Sequence, residues 1–361
     1  MAGAALSASS AATSPASVPS PRRRVSVVGA TGYAGAELVA LLARHPRIEI
    51  GGLFSSGGRS SVRFAALHRS LGGRPGPAAL PLDVDALLED GPDAVFLATP
   101  NETSAELVPL LLDWAPELSI VDLSGAFRLA RAEDYPAWYG FPHPRPELLA
   151  EAVYGLPEWN GAALPGARLV ANPGCYPTSV LLALKPILPF LDGAQPVICD
   201  CKSGVSGAGK KTDLAYSFAE LAGNLKAYGA GTHRHEPEMR QQLGLADTAP
   251  FVFVPHLLPT VRGILSTIHV AFSRAVGDDE IAAAYEAAYG AAPFVDVETP
   301  GRLPELNDVV GTPRAAVGFT MLPGRRAVIV SVLDNLLKGA ASQAVQNYNR
   351  MSGFDEDEGL A

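Results

Sequence analysis

The sequence predicts an α/β chain in two parts: a doubly wound parallel sheet, followed by an α+β domain built on a mostly antiparallel or mixed sheet. Three observations carry this. The chain has 361 residues, 48% of them hydrophobic, which is more than one core usually organises. In the first half, short apolar runs alternate with helical stretches, the pattern of parallel βαβ units. After Asn172-Pro-Gly-Cys175 the strand-like runs grow longer and alternate in polarity, with fewer helices between them.

Val25-Ser-Val-Val28 is a β-branched run leading into glycines, and Glu37 to Ala43 reads as a helix ended by His45-Pro46. Ile48 to Phe54, Ala94 to Ala98 and Ile120 to Asp122 read as buried strands, with a helix over Ala105 to Leu112. Beyond Cys175 the strands are Val197 to Cys201, Phe251 to Val254, Leu265 to Phe272 and Arg326 to Leu333. A last helix over Leu336 to Asn347 follows. The division expected is residues 25–174 as a nucleotide-binding domain and 175–335 as a catalytic and oligomerisation domain. Residues 336–352 return to the first domain, and 353–361 form an acidic tail that frays. Residues 1–24 are rich in Ala and Ser, lack acids and end in three arginines. They read as a disordered extension, with a plastid transit peptide as the alternative.

Several function classes are disfavoured. The net charge is −9 and no basic stripe is present, which argues against a nucleic-acid binder. No apolar run approaches the roughly 18 to 20 residues of a membrane span. Three cysteines, Cys175, Cys199 and Cys201, are too few for a disulfide framework and fit a reducing, cytoplasmic setting. The C-x-C pair lacks a second pair of metal ligands, so no metal is expected.

Gly29-Ala-Thr31-Gly32-Tyr33-Ala-Gly35 lies between the first strand and the first helix. In that position a G-x-x-G-x-x-G run is a variant of the Rossmann loop, which brings backbone close to a pyrophosphate held at a helix N-terminus. The second strand ends in Ser55-Ser56-Gly-Gly-Arg59, without the acid that would bind a ribose 2′-hydroxyl. Ser55, Ser56 and Arg59 suit a 2′-phosphate instead, so the cofactor expected is NADP(H).

Cys175 sits in Asn172-Pro-Gly-Cys-Tyr-Pro-Thr178, before a helix expected from Thr178 to Leu184. A thiol at a helix N-terminus is expected to ionise more readily. Thr232-His233-Arg234-His235-Glu236-Pro237-Glu238 offers two histidines, either of which could serve as the proton partner of a thiol. A zinc site there is disfavoured by the charge of Arg234. Gly204 to Lys210 matches G-x-x-x-x-G-K, but Lys211 stands where a magnesium-binding hydroxyl belongs. That loop reads better as a cradle of N–H groups for an acyl phosphate or carboxylate.

Together these segments resemble the N-acetyl-gamma-glutamyl-phosphate reductase family, related in fold to aspartate-semialdehyde and glyceraldehyde-3-phosphate dehydrogenases. The resemblance runs from Val25 to about Asn349. It rests on Val28-Gly-Ala-Thr-Gly-Tyr-Ala-Gly35, Tyr154-Gly-Leu-Pro-Glu158, the Cys175 and His233–Glu238 segments, Ser203 to Lys210, Pro255-His256 with Arg262-Gly-Ile264, and Asp334-Asn335. It implies NADPH-dependent reduction of an acyl phosphate through a thioester on Cys175, with a histidine of the His233/His235 pair as acid and base. It also implies substrate contacts from Arg128, Ser206, Gly207, Lys210 and Arg234, and cofactor contacts from Ser203, Gly204 and Asn335. The partners implied are a small acyl phosphate or semialdehyde, phosphate, and further copies of the chain in a dimer or tetramer. Two segments depart from the family pattern: Thr99-Pro-Asn-Glu102 replaces Leu-Pro-His-Gly, and Gly125-Ala126 replaces Ala-Asp. Alternatives are a sister reductase of carrier-bound aminoadipyl phosphate in lysine biosynthesis, and a non-catalytic NADP-binding sensor.

Overall fold

A computed structural model of the protein describes residues 22–56, 61–63, 78–210 and 213–360. Most of the N-terminal extension, Arg59 and Lys211 therefore lie outside the described residues.

The first sheet has eight strands: β1 (Arg23–Val28), β2 (Ile48–Ser55), β3 (Val62–Arg63), β4 (Ala78–Pro81), β5 (Ala94–Leu97), β6 (Ser119–Asp122), β7 (Val153–Tyr154) and β8 (Leu169–Ala171). Their order is β3-β4-β2-β1-β5-β6-β8-β7. All neighbours run parallel except the edge pair β3–β4. The central strands are apolar on both faces, as a sheet covered on both sides requires. Val25, Val27 and Phe96 point to the side of helix α1 (Tyr33–Leu42), whereas Val28, Val95 and Leu97 point to the side of α2 (Asn101–Trp114). Helix α2 begins four residues earlier than the sequence suggests, at Asn101 after Pro100.

The second sheet has seven strands: β9 (Val197–Ser203), β10 (Lys226–Ala227), β11 (Phe251–Leu257), β12 (Ile264–Ala271), β13 (Val295–Val297), β14 (Ala315–Leu322) and β15 (Arg326–Leu333). The order β10-β11-β9-β12-β15-β14-β13 is mixed, with β11–β9 and β13–β14 parallel. Helices α3 (Cys175–Leu184) and α5 (Asp278–Tyr289) cover one face, and α4 (His235–Gln242) packs beside α3. Their shared core includes Val180, Leu181, Cys199, Cys201, Ile268, Tyr285 and Ile329. The two C-x-C cysteines are thus core residues on one strand face, and no cluster of metal-ligating side chains occurs among the described residues.

After β15 the chain returns to the first domain. Helix α6 spans Ala341–Ser352 rather than starting at Leu336. Residues 334–340 are instead turns: the Asp334 carboxylate accepts the N–H groups of Leu336 and Leu337 as an N-cap would, but the backbone leaves the helical region at Ala340 (φ −158°, ψ −85°) and the helix starts only after it. Helix α6 is buried through polar side chains. Asn347 donates to Asn172 Oδ1 (2.9 Å) and to the carbonyl of Gly155 (2.8 Å). Lys338, fully buried, donates to Glu158 and Gln346, each at 2.6 Å. The acidic tail does not fray. Asn349 donates to the carbonyls of Glu356 and Glu358, Arg47 lies over the Phe354 ring, and Leu360 is buried. Carbonyl capture and apolar contact hold a segment whose charges alone suggested solvent.

Candidate active site

The glycine loop follows β1. Gly29 has φ +84°, and a Cβ there would lie 2.2 Å from the Ala98 carbonyl oxygen; a Cβ on Gly35 would lie 2.2 Å from that of Gly29. Only glycine fits this turn. Gly32 caps α1, Thr31 is half-buried and Tyr33 is exposed, so the N–H groups of the first turn open toward the loop. This cradle fits a dinucleotide pyrophosphate, with the positive end of α1 facing it. Ser55 is buried and turned into the sheet, donating to the Leu80 carbonyl (3.3 Å). Ser56 is exposed at the strand end, whereas Ser55 is already engaged.

Cys175 is the first residue of α3, three residues earlier than the sequence suggests, with Gly174 as N-cap. Pro177 is tolerated in the first turn because its missing N–H would have no helical partner. The backbone N–H groups of Tyr176 and Cys175 approach the thiol and favour its anion, as does Arg128. Burial outweighs them and pushes the thiol up to about 11. The direction is opposite to the expectation of an easily ionised thiol: desolvation of the half-buried Cys175 opposes the support of the helix terminus.

The two histidines are separated by their surroundings. The His233 ring packs among Tyr176, Tyr228 and Phe253, and its Nδ1 accepts the backbone N–H of His235 (3.1 Å). The His235 Nε2 faces the residue before the nucleophile, since a Cβ on Gly174 would meet it at 2.6 Å. Its Nδ1 is buried without a partner among the described residues. Burial lowers both imidazoles, His233 to about 4 and His235 well below its ordinary value, with Arg234 adding repulsion at each and Arg128 at His235. Burial thus disfavours the charged form of the thiol and of both imidazoles.

Glu238 joins these parts, and sequence reasoning assigned it no role. Fully buried, it accepts the Gly174 N–H (2.8 Å) and the Tyr154 hydroxyl (2.8 Å) on Oε1, while Oε2 faces Arg128 at 3.4 Å. Its position three residues after His235 on one helix places both on the same face, which was the available signal. Arg128 is built into the wall: it donates to the carbonyls of Asn172 (2.8 Å) and Leu123 (2.8 Å) as well as facing Glu238. By contrast, Arg234 and Lys210 are exposed, and no ion pair engages either among the described residues.

Ser203 ends β9, and Gly204, Ser206 and Gly207 lie in the loop that follows it. Asn335 donates to Ser206 Oγ (2.9 Å) and accepts the Gly263 N–H (2.8 Å). A Cβ on Gly339 would lie 2.8 Å from both Cys175 Cβ and Asn335 Cα, so only glycine fits where the chain passes these two residues. The two segments that depart from the family pattern touch: Asn101 Oδ1 accepts the Gly125 N–H (2.8 Å). The missing Cβ of Gly125 leaves room for the Tyr139 hydroxyl, which a Cβ would meet at 2.5 Å.

Residues 24–167 match the semialdehyde dehydrogenase NAD binding domain, and 175–335 match the semialdehyde dehydrogenase dimerisation domain. N-acetyl-gamma-glutamyl-phosphate reductase of Halorhodospira halophila is 47% identical over 343 residues, covering 93% of this chain and 97% of the relative. The chain belongs to the N-acetyl-gamma-glutamyl-phosphate reductase family. The same enzyme of Geobacillus stearothermophilus is 41% identical over 340 residues, with 93% and 97% covered. As a member of this family the chain is an oxidoreductase that uses NADP(H). Among solved structures, aspartate semialdehyde dehydrogenase II of Vibrio cholerae aligns with a TM-score of 0.67 at 19% identity, over 92% of this chain and 98% of that one. The Candida albicans aspartate semialdehyde dehydrogenase with NADP gives 0.64 at 15%, over 91% and 98%. These two share the fold. Among the described residues no helix is long and apolar enough to cross a membrane. The relatives are bacterial and lend no support to a plastid leader.

Proposed function

We propose that the chain reduces N-acetyl-L-glutamyl 5-phosphate to N-acetyl-L-glutamate 5-semialdehyde and phosphate in arginine biosynthesis, through a thioester on Cys175. The observation that carries this reading is the placement of Cys175 at the start of α3 with His235 Nε2 turned to the adjoining Gly174. As sulfur attacks the acyl carbon, its proton passes to the neutral His235, and phosphate departs from the tetrahedral adduct. The N–H groups of Cys175 and Tyr176 hold the carbonyl oxygen as it gains charge. When bound, NADPH supplies the hydride that converts the thioester carbon to the aldehyde level. His235 then returns its proton to the departing thiolate.

Because burial disfavours both the thiolate and the imidazolium, proton transfer accompanies attack rather than preceding it. The exposed Arg234 and Lys210 serve the phosphate and carboxylate of the substrate, with the Ser206–Gly207 loop as a cradle. Arg128 acts from the wall as a fixed positive charge beside Cys175. Gly29, Thr31, Gly32, Tyr33 and Gly35 take the pyrophosphate, Ser56 with Arg59 the 2′-phosphate, and Ser203, Gly204 and Asn335 the nicotinamide end. Copies of the chain pair through the face of the second sheet opposite α3 and α5, where Ile198 and Val252 are 36% and 42% exposed. A cytoplasmic setting fits three unpaired cysteines.

The test is reduction of NADP by the purified protein with N-acetylglutamate semialdehyde, followed by absorbance of the reduced nicotinamide. Turnover should require phosphate, or arsenate in its place, and vanish in Cys175→Ala while NADPH binding persists. Silence on this substrate with turnover on carrier-bound aminoadipyl semialdehyde would assign the chain to the lysine-pathway reaction. Binding of NADPH with no turnover on either would make it a sensor.

A further inference from the structure

One contact between the domains lies outside the chemistry above. Glu37 sits on α1 one turn inside its N-terminus, and its carboxylate pairs with the Arg262 guanidinium of the β11–β12 loop. The two side chains are 17% and 25% exposed. The other edge of Arg262 faces Asp334 Oδ2 at 3.3 Å, and that oxygen also accepts the Gly311 N–H (2.9 Å). Arg262 therefore grips the cofactor helix of one domain and the end of β15 in the other.

The Arg262 loop also carries the Ser203–Ser206 segment. Gly204 N–H donates to the Gly263 carbonyl (2.9 Å), Val205 to Thr260 (2.9 Å) and Ser206 to Val261 (3.1 Å), while Leu258 donates back to Ser203 (2.8 Å). Gly204 has no room for a side chain, since a Cβ would lie 2.8 Å from Arg262 N. Where Arg262 goes, the loop beside Asn335 and Cys175 goes with it.

A dinucleotide anchored by its pyrophosphate on α1 must present its nicotinamide to a carbon held on the other domain, and small misplacements there cost large factors in rate. We propose that the Glu37–Arg262 pair is a positioning clasp that sets α1 and its bound cofactor in register with the Ser203–Ser206 loop for hydride transfer. This rests on the thioester reading of Cys175. The pair also has an electrostatic duty. Without Arg262, the Glu37 carboxylate would stand uncompensated one turn from the cofactor's phosphates.

Steady-state kinetics with NADPH and with NADPH deuterated at the transferred position test the clasp in Glu37→Gln, Arg262→Met and the double variant. Each single change should lower kcat by about tenfold and raise the deuterium isotope effect, because loosened alignment slows the hydride step. KM for NADPH should rise more in Arg262→Met than in Glu37→Gln, since only the former leaves the carboxylate bare. The double variant should be no slower in kcat than the worse single one, as expected of two ends of one contact. Alkylation of Cys175 should keep its wild-type rate. If Arg262→Met does not fold, Arg262→Lys and Glu37→Asp keep the charges while altering the reach, and both should show the raised isotope effect. Wild-type isotope effects in the single variants, or independent losses that multiply in the double variant, overturn the clasp alone. An inactive wild-type enzyme would instead sink the thioester reading and the clasp with it.

Discussion

Raising the pH should speed alkylation of Cys175 tenfold per unit, without a plateau, to about pH 10. The thiol is pushed up to about 11 by burial. At pH 7 about one molecule in ten thousand then carries the thiolate, against about three in a hundred for an unperturbed thiol near 8.5. That difference is roughly 300-fold. The more basic thiolate is intrinsically the better nucleophile, which returns about a factor of 10. Iodoacetamide should thus modify Cys175 roughly 30-fold more slowly at pH 7 than a free thiol. The assay is intact mass against time from pH 6 to 10.5, with Cys175→Ser as control. Cys199 and Cys201 are fully buried and should stay silent under native conditions. His235→Asn should leave this rate nearly unchanged, because burial disfavours the imidazolium that would hold a thiolate. A plateau with a midpoint below about 8 would mean that a thiolate–imidazolium pair already exists, and would refute attack coupled to proton transfer.

Replacing His235 with Asn should cost about 10² to 10⁴ in kcat, and His233→Asn far less; the reverse order in stopped-flow or steady-state assays would exchange their roles. Because burial lowers His235, the base is neutral below the ordinary imidazole midpoint of about 6.5. The acid limb of kcat/KM should accordingly lie below that pH, and a limb at 7 or above would contradict it. Glu238→Gln keeps an acceptor for the Gly174 N–H but leaves Arg128 charged and unpaired, so unfolding in urea should show a loss of about 3 kcal/mol; an unchanged midpoint would show that Arg128 finds another partner. Removing residues 354–361 exposes the surfaces under Leu360 and Phe354, and should cost about 2 to 4 kcal/mol with a melting point lower by several degrees. A truncated chain that melts with the full one would return the tail to solvent.

The parts of the site read directly from the sequence are those that a local rule defines. Gly29 and Gly35 follow from a strand, a turn and a helix in succession. Cys175 follows from a thiol held before a helix between two prolines. Local rules failed where the deciding partner is distant in the chain. The N-terminus of α3 does favour the thiolate, yet desolvation of the half-buried thiol by surrounding segments opposes it. Glu238 looked like one acid in a charged turn because its partners are Gly174, 64 residues away, and Tyr154, 84 residues away. Helix α6 starts five residues later than the sequence suggests because Ala340 takes a non-helical backbone, and its buried face is filled by polar residues that bond to distant segments. The tail misled for the same reason: its charges were visible, while the Asn349 amide that captures its carbonyls was not.

The neutral resting site and the chain path support each other. A thiolate waiting beside bound cofactor would be open to oxidation and to stray electrophiles, whereas a neutral thiol reacts only when a substrate presents a polarised carbonyl and the imidazole is aligned. Alignment then becomes the controlled quantity, and the chain devotes buried polar contacts to it. Glu238 ties the residue before the nucleophile to the helix of the base. Asn172, in the loop before Cys175, accepts from Asn347 and donates to the carbonyl of Ala340 at 3.2 Å, so the returning C-terminal segment braces that loop from behind. Because α6 belongs in space to the first domain but follows the second in sequence, the two domains are joined through both ends of the catalytic unit. The buried Lys338–Glu158 contact fixes the second of these connections to the first domain. The site therefore keeps its geometry through structure that a reader of motifs would assign to neither cofactor nor substrate.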